Sequence, residues 1–137
     1  MPFISRRPAR VFALQVLYAI EITGLSPGYC LPGIIESNSI SESMQRFGMK
    51  LLDGVLEKKE EFRNVFLELI PDWSPERLST TDKIILQIAM AEMLLADTPI
   101  KVILSEAVQI ANKFSDKESP AFVNGVLQGF AKARGML

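Results

Sequence analysis

The chain contains no histidine and a single cysteine, Cys30. Without histidine there is no Ser–His or Cys–His nucleophile pair, and the usual zinc sites lose their nitrogen ligand. One cysteine cannot form an internal disulfide, the pattern of a reducing compartment, and Cys30 reads as a small half-buried hydrophobe near a turn. No glycine-rich phosphate loop or metal-ligand cluster stands out, so neither a cofactor nor a metal is expected. The apolar run over residues 11–20 is too short to span a membrane and no small-residue cleavage site follows it, so a cytoplasmic location is expected. No stretch alternates with a period of two for long enough to form a strand.

Acidic residues are missing from the start of the chain. The first is Glu21, whereas Arg6, Arg7 and Arg10 all fall in the opening ten positions. The chain as a whole has a formal charge of −1 and a pI near 5.5, so the cationic end is a local device. A general nucleic-acid coat would instead carry excess positive charge over a whole face. The positive end of a helix dipole repels arginines, so something outside the helix must account for them. Mounted on the first turn of a packed helix, guanidinium forks can meet polyanions in fixed geometry. That arrangement points to nucleic acid, contacted locally and with help from a partner.

What is present is helical periodicity. The 137 residues, 48% hydrophobic and 23% charged, fit one globular domain over residues 1–137 with a core of its own. Ser5 and Pro8 start a first helix that is apolar on two sides, hence central, and that stops near Thr23-Gly24. Ser26-Pro27-Gly28 reads as a turn, followed by a short helix around residues 33–37. Ser41 or Ser43 opens a longer helix bearing Met44, Phe47, Leu51 and Val55, in which Gly48 and Gly54 suggest close packing. The charged run Glu57–Glu61 is a solvated face or a helix junction, and Phe62, Val65, Phe66 and Leu69 then continue the period to Pro71.

Ser74-Pro75 has the form of a helix start, and Ser79 with Asp82 resembles a capping box. Ile84, Ile85, Ile88, Ala91 and Leu95 make the next buried face. After Thr98-Pro99 come Val102, Ile103, Ala107, Ile110 and Phe114. Ser119-Pro120 starts a last helix with Phe122, Val123, Val126 and Phe130. The sum is six or seven helices in an all-α bundle.

Within that last helix, Asn124-Gly125 sacrifices helix propensity by roughly 1 kcal/mol for the glycine, which suggests close packing at Gly125 and a side-chain role for Asn124. Phe122 can fill the core or stack on a base. Glu92 and Glu106 could suggest acid–base chemistry, but no nucleophile accompanies them. Helix–helix hydrogen bonding is their expected role, and no enzymatic activity is expected.

These blocks resemble the NusB family of bacterial transcription antitermination factors. The resemblance is carried by Arg6-Arg7-Pro8-Ala9-Arg10, Ala13-Leu14-Gln15-Val16-Leu17-Tyr18, Trp73-Ser74-Pro75-Glu76-Arg77-Leu78, Asp82-Lys83-Ile84-Ile85-Leu86, Ser105-Glu106-Ala107-Val108 and Phe122-Val123-Asn124-Gly125-Val126-Leu127, in order across nearly the whole chain. It implies two three-helix subdomains packed around a long N-terminal helix. It also implies binding of boxA RNA together with the ribosomal small-subunit protein NusE, and terminator read-through by RNA polymerase, notably in ribosomal RNA operons. Other Nus factors and the polymerase would be engaged indirectly. Arg6, Arg7, Arg10 and Phe122 match RNA-contacting positions of the family, Asn124 in the same terminal block is expected to bind RNA with them, and Tyr18 and Asp82 match positions implicated in the NusE contact. The charge balance leaves an alternative: a helical protein–protein adaptor of the same fold with weak or no RNA binding.

Overall fold

The computed structural model describes residues 5–74 and 78–137. Among them the chain forms seven α-helices and no strand: α1 (Arg7–Thr23), α2 (Pro27–Ser37), α3 (Glu42–Glu57), α4 (Lys59–Leu69), α5 (Thr80–Leu95), α6 (Ile100–Phe114) and α7 (Ser119–Ala133). Local chemistry explains most ends. Ser26, Ser41 and Ser79 cap α2, α3 and α5 by accepting from the backbone N–H three residues on. Gly24 ends α1 in the left-handed region at φ 70°, where a Cβ would be strained. The 26–28 segment is thus the start of α2 rather than a free turn, and Lys58 is the junction between α3 and α4.

Helix α1 lies at the centre, against α2, α3 and α5; α3 also packs on α5, while α5, α6 and α7 pack together, and α4 reaches α7. One apolar cluster runs through these contacts, with Phe12, Phe62, Phe66 and Phe130 among its fully buried side chains. Each such ring contributes roughly 1.5–3 kcal/mol by leaving water. Helix α2 fully buries no residue, carries Pro32 in its interior and packs mainly on α1, with Leu31, Ile34 and Ile35 half-buried against the apolar cluster.

Four expectations need correction. Ser5 is not the cap of α1: Arg6 holds that position without a side-chain cap, and the Ser5 hydroxyl accepts from the Arg7 backbone N–H at 3.1 Å just outside it. Ser119 is not the cap of α7: Glu118 holds that position and makes no side-chain cap, while the Ser119 hydroxyl is drawn to Asp82. Val102 and Phe114, expected in the buried face of α6, are exposed. Gly125 packs against nothing, whereas a Cβ at Gly48 would stand 2.7 Å from the Phe12 ring and 3.0 Å from the Ala9 carbonyl oxygen. The two glycines should therefore respond oppositely to alanine. Gly48→Ala should destabilise by about 1–3 kcal/mol through overpacking, and Gly125→Ala should stabilise by about 0.4–1 kcal/mol. Urea unfolding of both variants checks this; shifts of the same sign would contradict the packing.

Candidate nucleic-acid and partner surfaces

The arginines at the start of α1 are answered by carboxylates far along the chain. Arg10 donates through Nε to Glu92 Oε1 at 2.7 Å and through Nη2 to Glu92 Oε2 at 2.6 Å, a bidentate pair. Its Nη1 reaches Glu106 Oε1 at 3.1 Å. Glu106 is shared, because Arg7 donates to its Oε2 from Nε at 3.1 Å and from Nη2 at 2.6 Å. Burial separates these roles: the Arg10 and Glu92 side chains are 5% and 1% exposed, whereas Arg7 is 45% exposed. Arg10 is thus an interior anchor tying α1 to α5 and α6. Arg10, expected with Arg6 and Arg7 among the RNA-contacting residues, is instead buried, and its charge is compensated there by those carboxylates.

Arg6 is exposed, and its guanidinium sits 4.5 Å from the centroid of the Phe47 ring, with no carboxylate in ion-pair range among the described residues. Arg6 and Arg10 line a groove of about 290 Å³ together with Asp97, Thr98 and Pro99 ahead of α6 and with Val102 and Glu106 in its first half. Thr98 Oγ1 is buried there without a partner among the described residues. Thr98 escapes sequence reasoning because its only signal, the Thr-Pro pair, reads as a helix start.

Helix α7 splits the two candidates it carries. Residues two apart on a helix point about 200° away from each other. Asn124 lies on the flank facing α6, beside Ser105 and Gln109. Phe122 is half-buried against the apolar cluster on the other flank, the one that also carries Gly129 over Leu69 of α4.

Tyr18 is exposed and opens a cleft of about 500 Å³ with Gln15, Ile34, Thr81 and Phe114. Ile22 (60% exposed) and Tyr29 (71%) extend an apolar band over the end of α1 and onto α2, joined by Leu25. Ile22, Leu25, Tyr29 and Phe114 are absent from the sequence candidates, because period alone does not say which apolar residues lack a neighbour. Asp82, at the start of α5, faces inward: Ser115 Oγ donates to its Oδ1 at 2.5 Å and Ser119 Oγ to its Oδ2 at 3.0 Å. Both oxygens are committed to holding the α6–α7 connection, so the carboxylate expected at the NusE contact is buried and already hydrogen-bonded. Gln87 is buried in a cleft with Trp73, Lys59 and Arg63, away from the arginine end.

Together these features define an all-helical protein with a carboxylate-anchored cationic helix end and a separate apolar band. The NusB family model matches residues 7–132. The transcription antitermination protein NusB of Trichlorobacter lovleyi is 38% identical over 89% of this chain and 87% of its own length. A longer relative of the same description from Heliobacterium modesticaldum is 32% identical over 94% of this chain, which spans 63% of that protein. A solved structure of the antitermination factors NusB and NusE in complex with double-stranded RNA superimposes with a TM-score of 0.85 at 27% identity, covering 93% of this chain and 96% of that one. The chain belongs to the NusB family, and the relatives it matches are transcription antitermination proteins. No helix among the described residues is long and apolar enough to cross a membrane.

Proposed function

We propose that the chain acts in the cytoplasm by binding boxA-type single-stranded RNA together with the ribosomal protein NusE, and that the complex keeps RNA polymerase elongating through ribosomal RNA operons, other Nus factors being reached indirectly. The observation that carries this is the cationic end of α1, with Arg6 and Arg7 outward and Arg10 locked beneath them. The structural relative that holds NusE and RNA together supports it. Arg6 and Arg7 contact phosphates, while Arg10 positions them through Glu106. Asn124 meets RNA along the outer face of α6. Tyr18 and the apolar band receive NusE, and Asp82 supports that face from within by fixing Ser115 next to Phe114.

Phe122 is the one candidate whose two roles are separated by a single variant. Phe122→Ala should cost about 1–3 kcal/mol of RNA affinity if the ring stacks on a base. A core role shows instead as lost stability, up to about 3–5 kcal/mol for a fully buried ring and less for this half-buried one. Melting and RNA binding measured on the same variant decide between them.

The adaptor alternative draws on one specific observation: Glu92 and Glu106 offset much of the arginine charge. Alone, the chain should therefore bind RNA weakly, and NusE should strengthen binding by about five- to 150-fold. Titration of a boxA oligonucleotide at several salt concentrations, with and without NusE, tests this. RNA affinity indifferent to NusE, in the presence of a stable NusE complex, supports the adaptor instead.

A further inference from the structure

We infer that the groove between α6 and α7 is a base-recognition pocket in which Ser105, Gln109 and Asn124 read the edge of one splayed adenine; this rests on the RNA-binding function proposed above. The three side chains line an open groove of about 370 Å³ over a floor of Leu104, Val108 and Pro120. Their neighbours on the same helices are committed, Glu106 to two arginines and Ser119 to Asp82, whereas these three make no hydrogen bond among the described residues. No charged residue lines the groove, so a phosphate has nothing to meet there. An apolar floor with neutral donors and acceptors at its rim fits a flat, uncharged ligand that is polar only at its edge. In RNA that ligand is an unpaired base.

Position supports the same occupant. Val102 and Glu106, which line the groove beside Arg6, share one stripe of α6 with Ser105 and Gln109, within roughly 100° of arc. Val102 and Ser105 are only about 4.5 Å apart along the helix axis. A strand whose phosphates meet Arg6 and Arg7 would thus lay a nearby base into the groove. A carboxamide presents a donor beside an acceptor, the complement of adenine N7 and N6. Guanine presents two acceptors, N7 and O6, which are matched by arginine or lysine, and neither lines this groove.

The test uses the full chain with NusE and a boxA-type single-stranded oligoribonucleotide, compared with a series in which each nucleotide in turn is abasic and each adenine in turn is guanine. Gln109→Ala and Asn124→Ala should each lower affinity for the intact RNA by about five- to a hundredfold, with an unchanged salt slope because both groups are neutral. At one adenine, the abasic replacement should weaken the wild-type complex similarly and weaken the variants no further. At that position guanine should be rejected by the wild type and no longer distinguished by Asn124→Ala. Losses that add at every position, or variants that bind like the wild type, overturn the pocket while leaving an arginine-dependent salt slope, and hence RNA binding, intact. Absence of any RNA affinity in the wild-type complex removes the proposed function, and the pocket with it. Both substituted positions lie at the groove rim, and a thermal melt confirms that each variant is folded.

Discussion

Arg10→Ala should destabilise the protein by about 3–5 kcal/mol, because it strands Glu92 as an unpaired charge in the core. For a chain of this size that corresponds to a melting temperature lower by roughly 10–20 °C. The magnitude follows from geometry: two short charge-assisted bonds join Arg10 to a carboxylate that is 1% exposed. A surface pair of the same composition would contribute about 0–1 kcal/mol, and Arg134–Glu61, with both side chains at least 36% exposed, provides that internal comparison. Removing both charges differs from removing one. Arg10→Met combined with Glu92→Leu should recover most of the loss, since an apolar pair avoids the desolvation penalty. Thermal and urea unfolding of the single and double variants measure this directly. An Arg10→Ala loss no larger than that of Arg134→Ala would show that Arg10 is not the anchor described here.

The contrast between Arg10 and its neighbours marks what the sequence could and could not show. Helix starts at Ser41 and Ser79 and the stop at Gly24 are legible because cap and helix lie within a few residues, and the same hydrogen bonds recur wherever that chemistry occurs. The arginine cluster was legible as an anomaly, since cations at a helix start oppose the dipole. Its resolution was not, because Glu92 and Glu106 lie 82 and 96 residues away from Arg10. Asp82 has the same history. As the third residue of α5 it looks like half of a capping box, and its carboxylate instead crosses to Ser115 and Ser119, a choice made by tertiary packing. Phe114 and Val102 show a second limit. Helical period places them with the apolar residues of α6, but the packed stripe is narrower than the apolar one, and the excess becomes exposed surface.

Replacing both Arg6 and Arg7 with alanine should flatten the salt dependence of RNA binding while leaving the fold in place. Each phosphate neutralised on a single strand contributes about 0.7 to the slope of log K against log salt. Two lost contacts therefore remove about 1.4, equivalent to a roughly 25-fold change in affinity between 1 M and 0.1 M salt. Stability should move much less than in Arg10→Ala, because both side chains are exposed and Glu106 keeps its contact with Arg10. The two arginines should not be equal. Arg6 stacks on Phe47 and makes no ion pair among the described residues, so its charge is the more available to a phosphate; Arg7 must share with Glu106, which offsets part of its field. Arg6→Ala alone should accordingly remove the larger part of the slope change, and Glu106→Gln should raise the contribution of Arg7. Binding to a boxA-type oligonucleotide in the presence of NusE, followed over a range of salt for the wild type and these variants, gives the slopes. A slope unchanged in the double variant would place the phosphate contacts elsewhere on the molecule, and equal effects of the two single variants would mean that Glu106 does not restrain Arg7.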